Sequence, residues 1–282
     1  MRILVTGAEG FIGSHLCLKL KETDYKVIEH RLADGDLSEP NSLSYLKTTK
    51  IDHVIHLAAL NFVPDSWTNT FAFFKVNVLG TLNILELCKL QTASITFISS
   101  YMYGNPLTLP ITEQHPMQMA NPYMLTKKIG EELCRFYYEN FNIHCNIIRP
   151  FNIYGPGQNE DFLIPKIIKN AIRKTPFQVF DFRPKRDFLF IDDFVELLIR
   201  SVNYNYGYNV FNAGSGSSYS VKEIIEIISE MLGDDISCES LGKERINEIL
   251  DVIADIKKAE EELGWLPKTS IRDGLKILID KS

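Results

Sequence analysis

The octapeptide Thr6-Gly7-Ala8-Glu9-Gly10-Phe11-Ile12-Gly13 constrains this chain more than any other segment. It follows the apolar run Ile3-Leu4-Val5 at once and opens the helical pattern Phe11 to Lys21. A strand, a glycine turn and a helix in direct succession make a seat for a diphosphate. Glycine takes backbone angles closed to other residues, a missing side chain lets phosphate approach the main chain, and the helix start offers unpaired N–H groups. The spacing is G-x-x-G-x-x-G, not the commoner G-x-G-x-x-G, so the strand–turn–helix context carries the reading.

The same alternation continues along the chain. Strands are expected at Lys26 to His30, Val54 to Leu57, Ile95 to Ile98 and His144 to Ile148. Long helices are expected at Trp67 to Leu90, broken at most near Gly80, and at Tyr123 to Asn140. This order predicts an α/β protein with a Rossmann-type doubly wound parallel sheet and a smaller C-terminal substrate-binding lobe. After Pro150 the pattern changes to glycine- and proline-rich loops, at Tyr154 to Gly157 and Arg183 to Arg186, and to helices at Phe162 to Arg173, Asp192 to Val202, Val221 to Leu232 and Asp255 to Leu263. Asn209 to Asn212 reads as one more sheet strand. The expected division is a dinucleotide-binding domain over 1–160, with a returning segment at about 186–214, and a smaller lobe over 161–185 and 215–282.

Charge and composition exclude several classes. The chain has 282 residues and a net charge of -6 with no basic block, which argues against nucleic acid as a partner. No apolar run is read as approaching membrane-spanning length, and Arg2 to Val5 leaves no room for a leader before the first strand. Five dispersed Cys without a C-x-x-C pair fit free thiols in a reducing cytoplasm. The six His form no ligand cluster, so no metal is expected.

A second feature concerns the end of the second strand, Lys26-Val27-Ile28-Glu29-His30-Arg31. An acid there binds the ribose diol of NAD. Arg31, with His30, stands near that place and favours the extra phosphate of NADP, whereas Glu29 would serve NAD in a register shifted by two.

The chemistry-bearing pattern is Tyr123-Met124-Leu125-Thr126-Lys127 at a helix start. Positions i and i+4 share a face, so phenol and ammonium project together. An ammonium at ~4 Å in an effective dielectric of ~20 is worth about 4 kcal/mol, enough to draw a phenol from its usual pKa of about 10 towards neutrality. Upstream, Phe97-Ile98-Ser99-Ser100-Tyr101-Met102-Tyr103-Gly104 ends a strand in two hydroxyls, and strand C-terminal ends are where ligands bind in open α/β sheets. A glycine loop, a strand-end serine and a Tyr/Lys helix in this chain order are far more specific together than any one alone.

With these motifs the sequence resembles the extended short-chain dehydrogenase/reductase family, in particular the NAD-dependent epimerase/dehydratase group acting on nucleotide sugars. The resemblance spans nearly the whole chain. It extends through Gly35-Asp36-Leu37, His56-Leu57-Ala58-Ala59, Asn77-Val78-x-Gly80-Thr81, Arg149-Pro150-Phe151-Asn152-Ile153-Tyr154-Gly155-Pro156, Lys185-Arg186-Asp187-Phe188, Asn212-Ala213-Gly214-Ser215-Gly216 and Leu263-Gly264-Trp265. It implies cofactor contacts from Gly7, Gly10, Phe11, Ile12, Gly13, Arg31, Asp36, Leu37, Leu57, Ala58, Ala59, Asn77, Tyr123, Lys127 and Pro150. Asp36 would meet the adenine. Tyr123 would be the general acid/base, Lys127 would hold the nicotinamide ribose and lower the phenol's pKa, and Ser100 or Ser99 would orient the sugar oxygen. Asn152 would touch the nucleotide-diphosphate sugar, and Arg186 and Arg245 would pair with its diphosphate. Homodimers built on the two long helices are a further implication.

Departures from the family pattern narrow the reaction. Dehydratases of the group carry Thr-Asp-Glu at the strand end, and here those slots hold Ser and Tyr101. GDP-fucose-forming epimerase-reductases need Cys and His nearby, where Met102 and Tyr103 stand. Two chemistries remain: a 4-keto reductase consuming NADPH, or a 4-epimerase that keeps its NAD. The Arg31 cation and the compact length lean towards the reductase. A non-catalytic dinucleotide sensor would have lost Tyr123 or Lys127.

Overall fold

A computed structural model of the chain describes residues 1–243 and 248–282. The first half builds β1 (Arg2–Thr6), α1 (Phe11–Leu20), β2 (Lys26–His30), β3 (His53–His56), α2 (Val63–Thr68), α3 (Thr70–Phe74), α4 (Gly80–Gln91), β4 (Ser94–Ile98), α5 (Pro122–Phe141) and β5 (Cys145–Pro150). There follow β6 (Asn152–Tyr154), α6 (Leu163–Ile172), β7 (Phe177–Val179), β8 (Lys185–Phe190), α7 (Ile191–Asn203), β9 (Tyr208–Ala213), β10 (Ser218–Ser220), α8 (Val221–Leu232), β11 (Cys238–Ser240), α9 (Lys257–Leu263) and α10 (Ile271–Asp280).

Six strands form one sheet in the order β2-β1-β3-β4-β5-β9, and every pair is parallel. The order reverses between β1 and β3, which opens a crevice at the C-terminal strand ends beside the glycine turn. Strand residues alternate between two cores, as the period of two requires. Ile3 and Val5 join the core that α1, α6, α7 and α8 cover, while Leu4, Val54 and Ile95 join the one under α4 and α5. Each such buried aliphatic side chain contributes ~1.5–3 kcal/mol. The doubly wound parallel sheet expected from the alternation is what forms.

A second sheet, β10-β8-β6, lies beyond the first. It corrects the reading of Arg183 to Arg186 as loop: Lys185 and Arg186 begin β8, which pairs with Ser218–Ser220 on one side and Asn152–Tyr154 on the other. Those partners are distant in sequence and supply the ladder that the local composition hides. Near the C-terminus, Gly264 adopts φ 60 and turns the chain so that buried Trp265 donates through Nε1 to the Asp193 carbonyl at 2.9 Å.

Two further expectations are corrected. The helix expected over Trp67 to Leu90 is interrupted at Asn69 (φ -129, ψ 45) and widened into a π-turn over Lys75–Leu79. Such turns are rare and frequent at functional sites, and this one carries Asn77. The stretch Thr70–Gln91 is also long and apolar enough, by length and composition, to cross a membrane. Here Ile84, Leu85 and Cys88 are buried in the core beneath the sheet.

Candidate active site

The glycine turn leaves no room for side chains. Gly7 sits at φ +67, and a Cβ there would lie 2.9 Å from the Ala58 amide nitrogen. A Cβ on Gly13 would lie 2.1 Å from the Gly7 carbonyl oxygen. Gly10 is the N-cap of α1 and no side chain caps that end, so the first helical amides of Phe11, Ile12 and Gly13 are left for a ligand. Opposite, Ala58 N donates to Thr6 Oγ1 at 3.2 Å, which fixes the Leu57-Ala58-Ala59 segment over the turn. Asn77 is buried, and its amide binds both backbone groups of Leu60 (2.8 and 3.0 Å) and Thr126 Oγ1 (3.0 Å). It therefore braces the loop after β3 against α5.

At the end of β2, His30 turns inward, with Nδ1 on Tyr45 Oη at 2.7 Å and Nε2 on the Gly35 carbonyl at 3.0 Å. Arg31 is exposed, and its guanidinium lies 2.5 Å from Glu29, which also takes Lys21 at 2.8 Å. Asp36 accepts from the amide and hydroxyl of Ser38, bonds that hold its carboxyl below the usual range. Leu37 is buried against Gly80.

The second half of the site is the junction of β4 with α5. Asn121 caps α5 by accepting from Met124 N at 2.8 Å, and Pro122 starts the helix. Tyr123 is half-buried and Lys127 buried, one turn apart. Lys127 Nζ donates to the Ile98 carbonyl at 2.8 Å and lies 6.0 Å from the centre of the Tyr123 ring. Ser100 is the hydroxyl that interacts with the Tyr123 phenol. Ser99 points the other way, donating to Glu131 Oε1 at 2.6 Å inside the protein.

The expectation that Lys127 draws the phenol towards neutrality is not met. Burial pushes Tyr123 up to about 12, with Ser100 working against the shift. Burial likewise lowers Lys127 to about 8, which weakens its hold as a cation. The ammonium is spent on a main-chain carbonyl rather than on the phenol.

Behind this junction lies a buried polar network that the motif reading misses. Arg149 grips Glu131 with two bonds, Nε–Oε1 at 2.9 Å and Nη2–Oε2 at 2.7 Å, and reaches the Tyr103 hydroxyl at 3.0 Å. That hydroxyl donates to Asn212 Oδ1 at 2.6 Å. The Tyr101 ring stacks on Phe151, centres 5.0 Å apart, beside the phenol of Tyr123.

Towards the second sheet, Pro150 ends β5 and its carbonyl accepts from Tyr101 N at 3.3 Å. Asn152 Nδ2 donates to the Asp187 carbonyl at 3.1 Å. Arg186 is half-buried and engaged internally, by the Ile249 carbonyl at 2.7 Å and by Glu248. Asp187 is fully buried and gathers the Ser215 amide and hydroxyl, the Gly216 amide and the Ala254 amide. Arg245 lies outside the described residues.

A glycine crevice at the switch point of a parallel sheet, flanked by a Tyr-x-x-x-Lys helix and a strand-end serine, defines an oxidoreductase-type enzyme of the extended short-chain dehydrogenase/reductase class. A family model described as GDP-mannose 4,6 dehydratase matches residues 28–278. The chain belongs to that nucleotide-sugar epimerase/dehydratase family. A putative UDP-glucose 4-epimerase of Methanocaldococcus jannaschii is 33% identical, over 99% of this chain and 97% of its own length. A GDP-6-deoxy-D-mannose reductase of Pseudomonas aeruginosa is 30% identical, over 99% and 96%. The solved structure of RMD from Pseudomonas aeruginosa complexed with NADPH superposes with a TM-score of 0.92 at 29% identity, over 99% of this chain and 97% of that one.

Proposed function

We propose that the chain reduces the 4-keto group of a nucleotide-diphosphate sugar at the expense of NADPH. The observation that carries this reading is the placement of the Tyr123 phenol beside Ser100 at the end of β4, one helical turn from Lys127. Reduction of a ketone needs a proton donor at the carbonyl oxygen, which a phenol beside a strand-end hydroxyl can supply. A bound nicotinamide dinucleotide supplies the hydride. Ser100 orients the keto oxygen and Tyr123 gives it the proton. Lys127 holds the nicotinamide ribose, and Asn152 and Arg186 take the nucleotide sugar and its diphosphate, Arg186 exchanging Glu248 for the ligand.

The shape of the turn fits such a cofactor, because Gly7 and Gly13 keep clear the space a Cβ would fill. The named reductase and the NADPH-bound neighbour weigh towards the reductase and NADP. The named 4-epimerase and the neighbours solved with NAD support the second reading, a 4-epimerase with retained NAD. Dehydration is disfavoured: Ser100 and Tyr101 occupy the strand end, and the buried Glu131 carboxylate beside it is committed to Ser99 and Arg149.

By the same reading, residues 1–160 and about 186–214 bind the dinucleotide, and 161–185 and 215–282 bind the nucleotide sugar. Trp67, Phe71, Leu125 and Phe136 are exposed on α2, α3 and α5, the surfaces on which a homodimer would form. The five free thiols, four of them buried, fit a cytoplasmic setting.

Incubation with NADPH and a panel of 4-keto-6-deoxy nucleotide sugars tests the proposal. Stoichiometric loss of NADPH with formation of the alcohol supports it. Interconversion of UDP- or GDP-hexoses with no net use of cofactor would make the chain an epimerase, and tighter binding of NAD than of NADP would overturn the cofactor assignment.

A further inference from the structure

Three successive turns of α5 grip three consecutive residues at the end of β4. Tyr123 meets Ser100, Lys127 holds the Ile98 carbonyl at 2.8 Å, and Glu131 accepts from Ser99 at 2.6 Å. The helical positions are four apart and share a face. Neighbouring side chains on an extended segment point to opposite sides, so whichever serine is tied down decides which one faces the crevice. The tie is strong: Glu131 and Arg149 are both nearly inaccessible (2% and 4% of their side chains exposed), and Arg149 is itself anchored by Tyr103 and the Glu113 carbonyl.

We propose that Glu131 is a positioning residue of the reaction: by holding Ser99 inside, it sets the strand end so that Ser100 alone presents its hydroxyl to Tyr123, with Lys127 seated between. This rests on Tyr123 and Ser100 being the reacting pair. Electrostatics point the same way. The groups facing Lys127 are Tyr123, Glu131 and Cys134 from α5, His56 from β3, and the Phe97 ring and Ile98 carbonyl from β4. Burial holds His56 neutral, at about 3, and keeps Cys134 a thiol. That leaves Glu131, itself paired with Arg149 from β5, as the carboxylate beside the ammonium, whose proton is lost as pH rises through about 8. Removing its charge moves that loss to lower pH.

Glu131→Gln and Ser99→Ala test the proposal, with thermal melts establishing the temperature at which each variant is folded. Glu131→Gln should lower kcat about tenfold with KM changed less than about twofold, and Ser99→Ala should lower kcat about threefold. The pH above which NADPH affinity declines, read by fluorescence quenching, should fall by about half a unit or more in Glu131→Gln and stay in place in Ser99→Ala. Folded variants with wild-type kcat and an unmoved pH limb would overturn the proposal, as would a flat affinity profile in both the wild type and Glu131→Gln. Should Glu131→Gln fail to fold, a wild-type kcat in Ser99→Ala overturns it alone. If the wild type reduces no nucleotide sugar, the functional reading falls, and the affinity profile still decides the role of Glu131.

Discussion

The turn after β1 and the strand β8 are fixed by opposite means. The turn is held by excluded volume: Gly7 and Gly13 stand where any side chain would strike backbone. The start of β8 is held by hydrogen bonds, with one buried side chain, Asp187, collecting donors from Ser215, Gly216 and Ala254. The first region is shaped by neighbours within a few positions. The second exists only once residues 28 to 67 positions apart have met. A crevice made of backbone should fail on changes of size, and a hub made of hydrogen bonds should fail on the loss of an acceptor.

That contrast can be broken in four places. The largest effect is expected from Gly13→Ala, whose new methyl must displace main chain. Overpacking of about 1–3 kcal/mol converts to roughly a tenfold to hundredfold loss of cofactor affinity, measured by titration, with nucleotide-sugar binding little changed. Next, Asp187→Asn should cost about 1.5–3 kcal/mol of unfolding free energy in denaturant melts and leave cofactor affinity within about twofold. Burial raises the Asp187 carboxyl above its usual range despite four donors. The folded state therefore takes up that proton more readily than the unfolded chain, and the associated stability is present in acid and lost as pH rises through the raised value. The advantage of the wild type over Asp187→Asn should shrink along that same rise.

Third, Arg186→Ala should raise KM for the nucleotide sugar about tenfold, the worth of one charge-assisted bond, without altering cofactor affinity. The smallest effect belongs to Arg31→Ala. Its guanidinium is exposed and already shared with Glu29, so NADPH affinity should fall only about fivefold at low salt, with NADH binding unchanged. Equal loss for both cofactors would remove Arg31 from the specificity reading.

The same contrast explains what could be read from the amino-acid order. The glycine turn, the parallel βα alternation and the one-turn spacing of Tyr123 and Lys127 are local features, and each is legible from its own few residues. Which of Ser99 and Ser100 turns inward is not, because the partner of Ser99, Glu131, lies 32 positions away. The inward turn of His30 depends on Tyr45 and Gly35. The break in the 67–90 helix falls at a segment whose Asn77 bonds to Leu60 and Thr126, partners 17 and 49 positions away. β8 looked like a loop because Arg-Pro-Lys-Arg is turn-like in isolation, and only the partners at 152–154 and 218–220 make it a strand. The raised pKa of Tyr123 was hidden for a related reason: the spacing places an ammonium on the same helix face, but the burial that pushes the phenol up comes from the packing around it.

The most direct test is the Tyr123→Phe variant, assayed for both cofactor affinity and NADPH-dependent reduction of a 4-keto nucleotide sugar that the wild type accepts. Removing the proton donor should lower turnover about 10²–10⁴-fold while cofactor affinity stays within about threefold. Turnover close to that of the wild type would show that the proton comes from elsewhere and that the crevice beside Ser100 is not where the reaction occurs.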